Sequence, residues 1–304
     1  MAHKIREVYI VHHSHTDVGY TDLQEQVIYN QANNIRRAVE LIEEGLEKGT
    51  NQKDLKWNCE TWYCVEQFLK VATKKEKKTF FDLVKKNSIG LSANYLNFND
   101  LADCEYLTEK IHDMQEVCAK EGITVKTAMF ADINGISMGQ RDAMLANGVE
   151  FLYTNIHTHH GMYPLYQNQK PYFWENEDDV YDLGNALGIV FNKNVNFMTE
   201  NYFGKAQGDV AGPLEKLHSN LIASMEEYEE NGYPYDFYIT SVSGVFSDNA
   251  PINPSIADTV ALFNEKYSEE VTLRMVTLQE LYDLIRNKVA DAPVYRGAIN
   301  DWWG

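Results

Sequence analysis

The sequence has 304 residues, of which 44% are hydrophobic and 24% are charged, a composition typical of globular proteins. Its formal net charge of -18 argues against a nucleic-acid partner, because phosphate backbones attract basic surfaces; we attribute this charge to solubility. The length is compatible with one large core, so we predict a single domain over residues 1–304.

The chain contains four cysteines, none of them in a C-x-x-C pair, which is too few for a disulfide framework. Free thiols are typical of a reducing compartment. The apolar run at residues 8–11 is shorter than the core of a signal peptide. Because no stretch approaches the roughly 18 apolar residues of a membrane span, we expect a cytoplasmic protein with no membrane partner.

Strand and helix signals alternate along the chain. Strands are predicted at residues 8–11, 55–61, 89–94, 127–132, 151–155, 188–192, 237–243 and 271–276. Helices are predicted at residues 23–48, 65–86, 103–121, 138–147, 213–231, 254–267 and 278–288. Such strand-helix units indicate an α/β fold with a parallel sheet. The strand number favours a (β/α)7-like barrel with helices outside, and residues 158–203 are predicted to form long loops.

Polar side chains follow many of these strands, at the ends where parallel barrels carry their active sites. The first strand leads to His12, His13, His15 and Asp17, the second to Glu60, the third to Asn94 and Tyr95, the fourth to Asp132, the fifth to His157 and His159, and the strand at 237–243 to Asp248 and Asn249. We therefore expect carboxylates, imidazoles and amides on one face of the sheet.

The pattern His13-x-His15-x-Asp17 is the sharpest signal for a metal site. Alternate residues leaving a strand point the same way, so these side chains can converge on one ion. Imidazole with carboxylate suits Zn²⁺, and also Mn²⁺ or Co²⁺. A polar loop with surface histidines is the alternative. His12 fits either a buried structural partner or a hydrogen-bond donor behind the ligands.

The other candidates also have plain structural interpretations. Asp132 ends an apolar strand, which is costly unless the carboxylate is paired or metal-bound, but it could cap the next helix. Asp248 lies in a sequence that, by spacing alone, favours an ordinary Asx-turn. His157 and His159 fit a metal site or, more readily, a polar loop lining a sugar site. Tyr95 could stack on a sugar ring or belong to the core.

Residues 13–20, which read His-Ser-His-Thr-Asp-Val-Gly-Tyr, resemble the H-x-H-x-D-x-G-aromatic segment of the glycoside hydrolase family 38 α-mannosidases. The resemblance implies that His15 and Asp17 bind zinc. Asp132, followed by Gly135, matches the family's nucleophile, which is also a zinc ligand. A looser match at residues 244–251 gives Asp248 the acid/base role.

The resemblance implies a zinc-dependent retaining glycosidase of the α-mannosidase type, with one zinc ion per domain and a carbohydrate substrate. Glu60, Asn94, Tyr95, His157 and His159 would contact the sugar. The barrel would then be of the glycoside hydrolase/deacetylase type, in a divergent bacterial-type branch. The family's usual tryptophan is replaced by tyrosine at residue 20.

The family's fourth zinc ligand is a histidine from a helical domain beyond the barrel, and no segment before residue 304 matches it. We therefore expect further C-terminal helical and β domains, without which the domain could be inactive. Two rivals remain: a metal-dependent polysaccharide deacetylase and a non-catalytic carbohydrate-binding domain. A homo-oligomer is also compatible with the sequence.

Overall fold

A computed structural model describes residues 3–97, 102–132, 135–156, 170–175, 186–192, 211–245 and 248–299. The chain divides into two units, each assembled from separate stretches of sequence. The first unit comprises Met1–Asn58, Phe68–Gly90 and Val195–Thr277. The second unit comprises Cys59–Gln67, Leu91–Asn194 and Leu278–Gly304.

The described residues form ten strands and eight α-helices, which alternate over much of the chain. The strands are β1 (Glu7–His13), β2 (Trp57–Cys59), β3 (Ile89–Leu91), β4 (Thr127–Ala131), β5 (Phe151–Ile156), β6 (Pro171–Glu175), β7 (Ala186–Asn192), β8 (Phe237–Ser243), β9 (Thr272–Val276) and β10 (Val294–Arg296). The helices are α1 (Gln24–Lys48), α2 (Trp62–Val71), α3 (Lys74–Lys85), α4 (Cys104–Lys120), α5 (Met138–Ala146), α6 (Ala211–Glu230), α7 (Ser255–Tyr267) and α8 (Leu278–Ile285). The predicted α/β class with parallel sheets is confirmed.

Strand β1 is the centre of the sheet in the first unit. It pairs in parallel with β8 along its whole length, from Glu7 opposite Phe237 to His13 opposite Ser243. It also pairs in parallel with β9 and, at its last residue, with β2. All residues of β1 after Glu7 are buried, as expected for a parallel strand covered on both faces. This register places the ends of β1 and β8 side by side.

Helix boundaries follow local capping residues. Helix α1 ends as predicted at Gly49, whose left-handed backbone lets its N–H bond to the Gly45 carbonyl. The single helix predicted over residues 65–86 is wrong, because α2 and α3 are separate. Thr73 starts α3 with a capping box, in which its side chain and Glu76 bond to each other's backbone N–H groups.

The second unit contains a mixed sheet with the strand order β10-β6-β7-β5-β4. Strands β4, β5 and β7 are parallel, but β6 runs antiparallel to β7. The prediction of long loops over residues 158–203 is therefore wrong for Pro171–Glu175 and for the start of β7. Strand β6 reads Pro-Tyr-Phe-Trp-Glu, and its leading proline is tolerated because it is the first residue of the strand.

Gly90 packs against the side chains of Asn58 and Thr277 in the first unit. A Cβ atom at this position would lie 2.1 Å from Asn58 Oδ1. The Asn58 side chain cannot easily move, since its Nδ2 donates to the carbonyls of His12 and Val276. Gly90→Ala is expected to lower the free energy of unfolding by about 3 kcal/mol, as measured by urea denaturation.

Gly139→Ala is the matched control for that substitution. Its Cβ would meet nothing nearer than the Cys104 sulfur at 3.6 Å, and alanine is favoured over glycine inside a helix by about 1 kcal/mol. Equal stabilities for the two variants would contradict the steric argument.

In the part of the chain that the structure describes, no helix has the length and apolarity needed to cross a bilayer.

Candidate functional site

The loop after β1 brings an imidazole and a carboxylate together. His15 is 4% exposed, and its Nε2 lies 3.3 Å from Asp17 Oδ1. Two ligand atoms that bind one tetrahedral zinc ion at about 2.0–2.2 Å lie about 3.4 Å from each other. The spacing and chemistry of His15 and Asp17 therefore fit two adjacent zinc ligands.

The end of strand β8 is hydrogen-bonded to this loop and to the end of β1. The backbone N–H of His15 donates to Ser243 Oγ at 2.9 Å. The backbone N–H of Gly244 donates to the His13 carbonyl at 2.7 Å. Both contacts continue the parallel register in which His13 lies opposite Ser243. The position of His15 is thus set by the pairing of β1 with β8.

The turn that carries Asp248 is bonded to the same loop. The backbone N–H of Asn249 donates to the His15 carbonyl at 2.7 Å. The Asn249 side chain accepts from the Asp17 N–H and donates to the Asp17 carbonyl. Asp248, which is partly exposed, therefore precedes a residue that is hydrogen-bonded to the loop carrying the two predicted zinc ligands. The sequence placed Asn249 beside Asp248 after this strand but gave it no role, although an asparagine in a turn is a signal for left-handed backbone.

His12 is a buried structural residue, the first of its two predicted interpretations. Its Nε2 accepts a hydrogen bond from the Asn253 N–H at 3.4 Å, and its ring lies edge-on to Trp57 at 5.0 Å. Burial, together with the charge of the neighbouring His13, lowers the pKa of His12 to about 3. His12 is therefore neutral in the folded protein at physiological pH.

The buried His12 predicts a loss of stability in acid. Unfolding returns its pKa to about 6.5, so only the unfolded chain takes up this proton between about pH 6.5 and pH 3. The free energy of unfolding must then fall as the pH falls through that window. We expect His12→Asn to reduce the fall between about pH 7.5 and pH 5 in urea titrations without added metal. The exposed His112 provides the control, and a His112→Asn variant that behaves like His12→Asn would contradict the assignment.

Asp132 follows strand β4 in the second unit with a backbone φ of 56°. This left-handed conformation is uncommon for residues other than glycine, although aspartate adopts it more readily than most. It costs on the order of 1 kcal/mol, and such strain is concentrated at functional sites. The alternative in which Asp132 caps helix α5 is wrong, because Ser137 is the N-cap and its side chain accepts from the Gln140 N–H.

Glu60 and Asn94, both predicted to contact substrate, are joined by a third residue in the second unit. Asn97 donates from Nδ2 to Glu60 Oε1, and its Oδ1 accepts from Asn94 Nδ2 at 2.9 Å. Glu60 and Asn94 are 3% and 4% exposed, so a buried carboxylate and a buried amide share one partner. Asn97 was not predicted as a site residue, because nothing in its local sequence pattern distinguishes it.

Tyr95 lies in an aromatic cluster rather than alone. Its hydroxyl donates to Glu66 Oε2 at 3.4 Å, and its ring meets Tyr63 and Tyr106 edge-on. Burial, followed by the charge of Glu66, raises the pKa of Tyr95 above its ordinary value. The ring remains half-buried, so it is neither a core residue nor a fully open platform.

The predicted site residues are divided between the two units, and two of them are not among the described residues. His157 and His159 lie outside the described residues. His15, Asp17 and the Asp248 turn come together in the first unit, whereas Asp132 belongs to the second. Within the described part of either unit, no three histidine, cysteine or carboxylate side chains are grouped so as to hold a metal ion.

Comparisons with known proteins identify the fold. No family model matches the chain, and no curated protein sequence matches it. An alpha-mannosidase from Enterococcus faecalis V583 superposes on 97% of this chain and 31% of its own, with a TM-score of 0.69 and 17% identity. A protein in the glycosyl hydrolase family 38 from Enterococcus faecalis covers 97% of this chain and 29% of its own, with a TM-score of 0.66 and 13% identity.

A third solved structure, a 4-alpha-glucanotransferase from Thermococcus litoralis, covers 100% of this chain and 43% of its own, with a TM-score of 0.61 and 13% identity. The chain therefore has the fold that these glycoside hydrolases share, including the glycosyl hydrolase family 38 structures. The resemblance stated from residues 13–20 is thereby confirmed at the level of the fold. The chain spans about a third of the length of the two Enterococcus faecalis structures that it matches.

Proposed function

We propose that this chain is the catalytic domain of a zinc-dependent retaining glycosidase that hydrolyses α-linked mannosides. One observation carries the proposal: the His15–Asp17 pair is hydrogen-bonded through Asn249 to the turn that bears Asp248. A metal-binding loop and a carboxylate held next to it are what a metal-assisted glycosidase requires. The shared fold supports the same assignment.

His15, Asp17 and Asp132 are the residues that would hold the zinc ion. The 3.3 Å distance between His15 Nε2 and Asp17 Oδ1 supports the first two ligands, and Asp132 is added because the family resemblance implies it. Mn²⁺ or Co²⁺ would suit the same ligands. When bound, the ion would supply a Lewis acid that polarises sugar hydroxyls. The fourth ligand, implied by the resemblance, would be a histidine from a part of the protein beyond these 304 residues.

The proposed reaction is a double displacement by two carboxylates. Asp132 attacks the anomeric carbon while Asp248 protonates the departing oxygen, which leaves a glycosyl ester on Asp132. Asp248 then removes a proton from water, and the water oxygen attacks the anomeric carbon to free Asp132 with net retention. Retention requires the two carboxyl groups to come within about 5–5.5 Å of each other.

The substrate-contacting residues in this proposal are Glu60, Asn94, Tyr95, His157 and His159. The Asn97 bridge supports such a role for Glu60 and Asn94, because it fixes two buried polar groups in one orientation. We also propose that residues 1–304 belong to one (β/α)7-like barrel domain of a longer cytoplasmic protein.

The test is hydrolysis of 4-nitrophenyl α-mannoside by the full-length protein. We expect release of nitrophenol, loss of that activity after chelation, and recovery on addition of Zn²⁺. Proton NMR of the first product formed should show the α-anomer, since two inversions restore the starting configuration. Release of acetate from an acetylated sugar would instead favour a deacetylase, and sugar binding without turnover would favour a binding domain.

A further inference from the structure

We propose that Asn249 is a positioning residue that fixes the acid/base Asp248 relative to the zinc ligand Asp17. The inference rests on the proposed function and adds to it a residue that neither the family resemblance nor the fold assigns. Its basis is a set of hydrogen bonds within the first unit, all made by one side chain to the loop after β1 and to helix α1.

The Asn249 amide uses its full hydrogen-bonding capacity. Its Nδ2 donates to the Asp17 carbonyl at 2.9 Å and to Thr21 Oγ1 at 2.6 Å. Its Oδ1 accepts from the Asp17 N–H at 3.2 Å and from Gln31 Nε2 at 2.9 Å. An amide offers two donor hydrogens and two acceptor lone pairs, so all four hydrogen-bonding sites of this side chain are occupied. Both backbone polar groups of Asp17 are bonded to this one side chain.

Few other residues could occupy this position. The backbone φ of Asn249 is 52°, a left-handed value that glycine, asparagine and aspartate adopt most readily. Aspartate would place an oxygen against the Asp17 carbonyl and Thr21 Oγ1, where the amide donates. Glycine would keep the backbone but lose all four side-chain bonds. The position therefore selects asparagine by both backbone conformation and donor pattern.

A second layer of contacts keeps Asn249 in place. Gln31, from α1, is 4% exposed, and its Nε2 also lies 3.2 Å from Ser14 Oγ. Ser14 Oγ donates in turn to the Ala250 carbonyl at 2.8 Å. A Cβ atom at Gly244 would lie 2.6 Å from that same carbonyl oxygen, so the turn packs directly on the strand end. Gly244, Asn249 and Ala250 are thus held in place around the turn, while Asp248 remains partly exposed.

This arrangement has a specific catalytic consequence. A general acid works only within hydrogen-bond reach of the leaving oxygen, and a misplacement of about 1 Å can cost about 100-fold in rate. Loosening Asn249 should therefore slow substrates whose leaving group needs a proton. Substrates whose leaving group departs as a stable anion should be affected far less.

The first experiment compares Asn249→Asp with the control Asn87→Asp in the full-length protein at saturating Zn²⁺. Asn87 also has a left-handed backbone, with a φ of 56°. It is a control because it lies before β3 and belongs neither to the loop after β1 nor to the turn after β8. We expect Asn249→Asp to lower kcat/KM for methyl α-mannoside about 100-fold, but for 2,4-dinitrophenyl α-mannoside less than about 10-fold. The control should stay within about 2-fold of wild type on both substrates.

The second experiment measures Zn²⁺ affinity by calorimetry for wild type, Asn249→Gly and Asn87→Gly. We expect only Asn249→Gly to bind zinc more weakly, by about 10-fold or more, as is usual when the residues that orient a ligand are lost. The proposal is overturned if wild type is active and binds zinc but the Asn249 variants match their controls. It is equally overturned if Asn249→Asp slows both mannosides by the same factor. If wild type neither binds zinc nor cleaves either mannoside, the proposed function fails and the inference fails with it.

Discussion

Asp132→Asn is expected to abolish hydrolysis of α-mannosides, with kcat lowered at least about 10⁴-fold, while the fold stays intact. The amide cannot attack the anomeric carbon or leave as a carboxylate. Asparagine tolerates the left-handed φ of 56° at this position, so the substitution should add little backbone strain. The measurement is kcat with 2,4-dinitrophenyl α-mannoside, accompanied by circular dichroism and thermal unfolding.

The Asp132→Gly variant tests directly whether Asp132 is the nucleophile. Glycine also accommodates a left-handed backbone, and the missing side chain leaves room for a small external nucleophile. At saturating Zn²⁺, added azide should attack the anomeric carbon directly, expel the dinitrophenolate and give the β-mannosyl azide by a single inversion. Residual hydrolysis above about 1% of wild type in Asp132→Asn would be inconsistent with a covalent role for this carboxylate.

The features that the sequence predicted best are those that follow from the periodicity of strands and helices. The buried apolar run of β1 and the alternation of strands and helices predicted the α/β class and most element positions. His13-x-His15-x-Asp17 predicted a close imidazole–carboxylate pair, and His15 and Asp17 form one. Such patterns are readable because strand and helix periods place side chains by local geometry alone.

Features that depend on tertiary partners were not predictable in the same way. Strand β6 is five residues long, and only its pairing with β7 and β10 distinguishes it from a loop. Asn249 and Gln31 are ordinary polar residues in the sequence. They gain significance only because β1 and β8 are neighbours in a register that brings residues 14–17 against residues 249–250. The division into two interleaved units likewise has no local signal.

Asp17→Asn is expected to remove zinc from the protein, from about one ion per chain to less than about 0.1, because a neutral amide is a poor substitute for a carboxylate ligand. The backbone of Asp17 is held at both its N–H and its carbonyl by Asn249. The loop should therefore remain in place when the side chain changes, which makes the substitution a test of metal ligation rather than of folding. Elemental analysis after gel filtration provides the measurement.

Asp22→Asn is the matched control, because Asp22 is an exposed carboxylate in the same loop whose Oδ1 accepts from the Leu23 N–H at 2.7 Å. An asparagine there keeps the acceptor, so zinc content should equal that of wild type. Zinc should also raise the thermal midpoint of wild type and of Asp22→Asn but not of Asp17→Asn, since a ligand that binds only the folded state stabilises it. Full zinc occupancy in Asp17→Asn would remove Asp17 from the ligand set, and with it the metal-site interpretation of the loop after β1.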